Sequence, residues 1–345
     1  MTRSRQQTPD EDHVATILLL QRDLRAARDE IRRLEQQLVA ASTHRRWRWR
    51  QLLKKLFGVR LGITPQYLPR DLAIPATYTM VPEVAYPALS IVTPSYNQGQ
   101  FLEQTIRSVL DQGYPRLEYV VQDGGSSDGT VQILERHRPS LAWCESARDR
   151  GQAHALNLGF RHTTGEVMCY LNSDDLLLPG ALHYVAAYFS RHPDVDVVYG
   201  HRVLIDEDGL EVGRWVLPVH DDAVLSWADY VPQETLFWRR RVWDRVGASF
   251  DESFQFALDW DLILRFRDAG ARFVRLPRFL GGFRLHPGQK TASQIAHLGL
   301  PEMNRLRERC HGRRVSYAQV SYHIARYLFR HVLCHRLYLL GLARY

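Results

Sequence analysis

Asp123, Gly124, Gly125 and Ser126 follow directly on the apolar run Tyr119-Val120-Val121. A buried strand that ends in an acid, two glycines and a hydroxyl is either a turn or a place where something binds. Glycine lets a backbone come close to a ligand, and the carboxylate and hydroxyl offer hydrogen bonds. Three similar clusters occur: Thr93-Pro94-Ser95-Tyr96-Asn97, Asp149-Arg150-Gly151-Gln152 and Asn172-Ser173-Asp174-Asp175. Each alone reads as a turn or a helix cap. Gathered on one edge of a sheet, they make a cleft whose helix starts offer free N–H groups to an anion such as a diphosphate. Asp174 and Asp175 repel each other unless something neutralises them. Mg²⁺ or Mn²⁺, which keeps several waters and takes phosphate oxygens, needs only one or two such carboxylates.

The elements that position these clusters alternate in type. "ALSIVTP", "LEYVVQD", "LAWCES" and "EVMCYLN" read as strands. "GQFLEQTIRSVLDQG", "GTVQILERHRP" and "GQAHALNLGFRHT" between them read as amphipathic helices. Strand–helix alternation with short loops predicts a mostly parallel α/β sheet with right-handed crossovers, and ligands bind such sheets beyond the carboxyl ends of the strands. "PGALHYVAAYFSRHP" adds a helix and "VDVVYG" a strand. "HRVLIDEDGLEVGRW" then predicts an antiparallel hairpin turning at Asp208-Gly209. "DWDLILRFRDAG" is a helix, and "ARFVRLP" and "GGFRLH" are two late strands.

Charge divides the 345-residue chain. Residues 1–40 are neutral, 41–62 carry +7 and 305–345 carry +8, which leaves −8 for 63–304. A nucleic-acid-binding domain concentrates base in its folded part, so nucleic acid is not an expected partner. Ile17, Leu20, Leu24, Ala27, Ile31, Leu34, Leu38 and Ala41 keep an unbroken three–four spacing. That predicts a coiled coil within residues 1–43 and a homo-oligomer joined through 17–41; a lone amphipathic helix packed on the main domain is the alternative. Trp49, Leu52, Leu53, Leu56 and Phe57 share one face of a basic helix over 44–62, which suits a membrane surface or packing on the domain. Residues 63–87 carry several prolines and read as a linker. The main domain is expected over 88–300, and the arginine-rich tail, 301–345, either lies on a bilayer or packs on that domain. The start of the chain lacks the apolar stretch of a leader, and no run is long and apolar enough to span a membrane. The four cysteines are scattered, which suggests a reducing compartment. Together these predict a cytoplasmic protein, whose basic flanks either hold it on the cytoplasmic face of the inner membrane or pack on protein.

"LSIVTPSYNQGQFLEQTIRSVLDQGYPRLEYVVQDGGSSDGTVQIL" and "DRGQAHALNLGFRHTTGEVMCYLNSDDLLLPGAL" resemble the family 2 glycosyltransferases of the GT-A fold. The resemblance covers about residues 88–290 and carries four motifs in order. It implies a Rossmann-like mixed sheet and a nucleotide-sugar donor, UDP- or dTDP-linked. Asp123 would accept the imide N–H of the donor's base, flanked by Gly124 and Ser126, with Thr93, Pro94 and Tyr96 along the base. Asn172-Ser173-Asp174 stands at the DxD motif. Asn172 would meet a ribose hydroxyl, and Asp174 would hold the metal. Asp149, Gly151, Ala155, Asn157 and Gly159 match the family's DxGxxxAxNxG stretch, and Arg150 is the expected diphosphate or donor-sugar contact. In "FALDWDLILRF", Leu258 replaces the family's Glu and Asp259 takes the place of the catalytic base, with Asp261 two residues on. His286 falls where some relatives assist the metal. Gln233 and Glu234 fall in the acceptor region. Trp238, Trp243 and Trp260 either stack on a sugar or fill the core.

The implied reaction is inverting transfer to a hydroxyl of a glycan, a lipid-linked acceptor or another cell-envelope acceptor. A nucleotidyltransferase would show a basic, glycine-rich loop after the first strand, and Thr93–Gly99 has none. A non-catalytic nucleotide-sugar-binding scaffold predicts loss of the site acids, yet Asp123, Asp174 and Asp259 are present.

Overall fold

The computed structural model describes residues 64–290 and 294–345. The expected coiled coil of 1–43, the basic helix of 44–62 and the 17–41 oligomer contact lie outside the described residues.

Strand β1 (Leu89–Ser95) leads into helix α1 (Gly99–Leu110), β2 (Leu117–Asp123) into α2 (Thr130–His137), and β3 (Trp143–Ser146) into α3 (Gln152–Phe160). Next come β4 (Val167–Tyr170), the short β5 (Leu176–Leu177) and α4 (Ala181–Arg191). All seven residues of β1 are buried. Since neighbours along a strand point to opposite faces, both faces of the sheet are covered there. In α1 the buried positions are Phe101, Leu102, Thr105, Ile106 and Val109, one stripe of a 3.6-residue helix.

β6 (Val197–Ile205) and β7 (Glu211–Trp215) form the predicted hairpin, with Gly209 at a φ of 85° in its turn. β8 (Phe237–Arg239) and α5 (Arg240–Arg245) precede α6 (Leu258–Asp268). The two late strands are one continuous β9 (Phe273–Arg284). Among the described residues the sheet runs β3-β2-β1-β4-β8-β6-β9-β5, with β7 on β6. The β3-β2-β1-β4 half is parallel. β8 pairs antiparallel with both β4 and β6, and β6 pairs parallel with β9. The sheet is therefore mixed, and its parallel half is the part that bears the polar clusters.

Residues 64–87 lie along this domain rather than hanging free. The Gln66 and Arg70 amides donate to Val212 and Glu211 carbonyls. Tyr78 is buried, and its hydroxyl accepts from the Phe279 N–H at 3.1 Å. A Cβ on Gly180, whose φ is 73°, would sit 1.7 Å from the Tyr78 carbonyl oxygen, so glycine is what allows this close approach. The tail forms α7 (Leu300–His311) and α8 (Tyr317–Leu339). Among the described residues no helix is long and apolar enough to cross a membrane.

Candidate active site

The register of the parallel strands brings the clusters together. Ser95 stands opposite Asp123, and Asp123 opposite Ser146. The Asn97 N–H donates to Ser126 Oγ at 2.7 Å, and Asn97 Oδ1 accepts from the Ser127 N–H, so the loops after β1 and β2 are stapled to each other. Asn97 adopts a φ of 52°, a conformation asparagine tolerates better than most residues.

Beyond these strand ends lies a cavity of about 620 Å³, its wall including Pro94, Tyr96, Gly124, Arg148, Asp149 and Gly151. Asn172, Ser173, Asp174 and Asp175 form its floor. A second cavity of about 290 Å³ is lined by Trp215, Asp229, Tyr230, Gln233, Phe256 and Asp259. Gln152, Asn172, Phe283 and Lys290 belong to both walls, so the two cavities are neighbours.

Several expected donor contacts are committed elsewhere. Asp123 is fully buried and faces its own loop. Its carboxylate accepts from the Gly125 and Ser126 N–H groups and from the Ser126 and Ser146 hydroxyls. The carboxylate on the cavity wall is Asp149, whose Oδ2 lies 2.8 Å from where a Gly124 side chain would begin. Thr93 is buried against the Tyr119 hydroxyl at 3.0 Å. Asn157 holds the Phe250 backbone at both its N–H and its carbonyl. Arg150 points to Glu252 at 2.7 Å, and the arginine on the cavity wall is Arg148. Ser126 shapes the loop through Asp123 and Asn97.

Asp174 Oδ2 lies 3.0 Å from His286 Nε2, and the imidazole packs on Phe101 with ring centroids 4.8 Å apart. Two neighbouring ligands of one octahedral cation, each about 2.1 Å from the metal, are separated by about 3 Å. The pair thus fits two positions of a Mg²⁺ or Mn²⁺ shell. Among the described residues no cluster of three or more His, Cys, Asp or Glu could hold a metal, so the other ligands would be phosphate oxygens and water. Asp175 is buried, and desolvation, with the Asp174 charge next, holds its pKa well above the carboxylate range. Arg284 fixes this loop from behind: its Nε donates to the Asp174 carbonyl at 2.8 Å and its backbone N–H to Asp175 Oδ1 at 3.0 Å. Asn172 bridges the cavities, accepting from Gln152 Nε2 at 2.7 Å and donating to Gln233 Oε1 at 2.9 Å.

In the second cavity, Asp259 sits in the first turn of α6 and accepts the Trp260 N–H at 2.8 Å. Desolvation pushes its pKa up to about 6. Asp261 instead is buried between Arg265 and Arg309, at 2.9 and 2.5 Å. Glu302 of α7 accepts three successive N–H groups, of Gln255, Phe256 and Ala257, and so fixes the chain just before α6. Gln233 lines the cavity, but Glu234 is buried behind it in a bidentate pair with Arg202 at 2.8 and 2.5 Å. Trp260 belongs to the lining of this cavity although it is fully buried with its indole N–H on the Leu225 carbonyl, whereas Trp238 and Trp243 fill the core. The other aromatic residues on the wall are Tyr170, Trp215, Tyr230, Phe256 and Phe283.

Sequence reasoning missed Asp229 and Lys290. Desolvation, aided by the Asp259 charge, raises the Asp229 pKa. Lys290 Nζ donates to Gln152 Oε1 at 2.9 Å and to the Gln255 carbonyl at 3.2 Å, and desolvation lowers its pKa. Neither belongs to a local motif; the only signal in the sequence was Lys290 four residues after His286.

The profile of "Glycosyl transferase family 2" matches residues 90–247. An uncharacterized glycosyltransferase of Mycobacterium tuberculosis is 30% identical over 183 residues, 52% of this chain and 68% of that protein. The chondroitin synthase of Escherichia coli is 28% identical over 188 residues, 53% of this chain but 27% of the relative. Among solved structures, S. aureus TarS in complex with UDP-GlcNAc superposes with a TM-score of 0.53 at 21% identity, over 70% of this chain and 72% of that one. A longer TarS chain is covered over 43% of its length. The mannosyltransferase PcManGT of Pyrobaculum calidifontis, in complex with GDP-Man and Mn²⁺, also gives a TM-score of 0.53 at 21% identity, over 87% of this chain and 82% of that one. A mixed sheet with its polar clusters at the ends of the parallel strands, and a relative matched over more than two thirds of its length, lead to one conclusion: the chain belongs to the family 2 glycosyltransferases and has their GT-A fold.

Proposed function

We propose that the protein is an inverting glycosyltransferase that moves a sugar from a UDP- or dTDP-linked donor to a hydroxyl of a glycan, a lipid-linked glycan or another cell-envelope acceptor. The observation that carries this reading is the pair of adjoining cavities, with Asp174, backed by the buried His286, in one and Asp259 in the other. The larger cavity takes the nucleoside diphosphate. Tyr96 and Pro94 lie along the base, and Asp149 is better placed than Asp123 to accept an imide N–H. Asp174 and His286 would hold a divalent cation, which neutralises charge on the diphosphate when bound. Arg148 and Lys290 add positive charge from the protein itself.

The acceptor hydroxyl binds in the smaller cavity among Trp215, Tyr230 and Phe283. Asp259 takes its proton, the oxygen attacks the anomeric carbon from the face opposite the diphosphate, and the anomeric C–O bond to phosphate breaks. A carboxylate with pKa near 6 is ionised at neutral pH and a stronger base than a free aspartate. A panel of UDP-, dTDP- and GDP-sugars, read by native mass spectrometry and by NMR of the product's anomeric configuration, tests the reading. Binding of a UDP- or dTDP-sugar with inversion is expected. Retention, or no nucleotide-sugar binding, overturns it.

A further inference from the structure

We propose that α8 is a membrane-surface helix that lays its outer face on an anionic bilayer and holds the acceptor cavity beside it. That the cavity takes an acceptor rests on the proposed function; the lipid contact does not. Val320, Tyr327, His331 and His335 face inward and are buried. Tyr327 packs on Tyr230 with ring centroids 4.3 Å apart, and His331 meets Trp215 edge-on at 5.8 Å. Tyr230 and Trp215 both line the acceptor cavity, so the inner face of α8 is the back of its wall.

The outer face carries an apolar stripe in which Arg326 stands between Tyr322 and Phe329. Tyr322, Phe329, Leu333, Leu337 and Leu340 fall seven, four, four and three residues apart, on one stripe, and Phe329 is 71% exposed. A helix packed on a soluble domain turns polar residues outward, and a contiguous exposed apolar patch marks an interaction surface. Charge selects the occupant. From Arg309 to Tyr345 there are seven arginines and neither Asp nor Glu. A second copy docking through the same stripe would bring two arginine-rich surfaces together, and the acids nearest them, Asp221 beside Arg330 and Glu308 beside Arg314, are already paired within the chain. Anionic headgroups complement the arginines while Phe329 and the leucines enter the acyl boundary. The helix is too polar to cross a bilayer, so it lies along the surface.

The full chain should sediment with phosphatidylcholine vesicles containing one quarter phosphatidylglycerol, and not with phosphatidylcholine alone. Binding should weaken as salt rises. The pair Phe329→Glu and Leu333→Glu should lower partitioning at least tenfold. The pair Arg326→Gln and Arg344→Gln should lower it about 25-fold, near fivefold per cation. UDP titrated into each variant by calorimetry reports whether the domain is intact, because none of the four residues lines either cavity. Wild-type protein left in the supernatant with anionic vesicles at low salt overturns the proposal. So does undiminished binding by the glutamate variant, or a wild-type dimer that this variant splits while vesicles bind neither. Failure of the wild type to bind any nucleotide would sink glycosyl transfer and leave the vesicle result standing.

Discussion

Asp259→Asn removes the proposed base without changing the size of the side chain. General-base catalysis contributes about 10²–10⁴ in rate, so the variant's kcat/KM should fall by that factor, or about 3–5 kcal/mol in barrier. The pH profile makes the test specific. With a pKa of about 6 in the folded protein, only about a tenth of the carboxylate is ionised at pH 5. Wild-type kcat/KM should therefore rise about tenfold from pH 5 to a plateau above pH 7, and Asp259→Asn should lose that limb. Stability should move the other way. The folded pKa lies above the ordinary value of 3.8, so between pH 4 and 6 the native state holds a proton that the unfolded chain has released. That contribution is full below about pH 4 and is lost as pH rises through 6, which leaves a charged carboxylate in a partly dry cavity. A two-unit shift corresponds to about 3 kcal/mol; contact with water in the cleft reduces this to about 1–2 kcal/mol. Asp259→Asn should thus raise the melting temperature by a few degrees at pH 8 and leave it unchanged at pH 4. Turnover at the wild-type rate, or a wild-type profile flat from pH 5 to 8, would refute the assignment of the base.

Asp149→Asn should weaken UDP binding by about 1.5–3 kcal/mol in calorimetry with little change in melting temperature; unchanged affinity moves base recognition elsewhere. Asp123→Ala should instead lower the melting temperature clearly, since four loop donors lose their acceptor. Asp174→Ala should abolish the Mn²⁺ dependence of UDP affinity, and a variant with wild-type Mn²⁺ dependence would show that the metal is held elsewhere. Glu234→Ala strands the buried Arg202 charge and should cost about 3–5 kcal/mol in denaturant unfolding, and a smaller loss would mean that water reaches the guanidinium. Glu302→Ala should reduce kcat while the UDP affinity stays at the wild-type value, because it frees the backbone before α6 and not the donor cavity.

Strand and helix alternation, the Asp208-Gly209 hairpin and the gathering of polar clusters at one sheet edge were legible in the sequence, because each depends on periodicity or turn chemistry within a few residues. Asp174 and Asp259 were singled out by their resemblance to family motifs at the ends of elements, and the structure places each on the lining of a cavity. What the sequence did not determine is which neighbour faces the cavity. Arg148 and Arg150, Asp259 and Asp261, and Gln233 and Glu234 are each pairs within two residues. In each pair the tertiary structure sends one side chain to the cleft and the other to an ion pair. Only the fold could place Asp229, Lys290 and Glu302 around Asp259. They come from segments up to 73 residues apart, brought together where α7 packs on α6 and on the chain just before it. A side chain's direction depends on the rotation of its whole element, and that rotation is fixed by packing between residues far apart in the chain, which a local pattern does not contain.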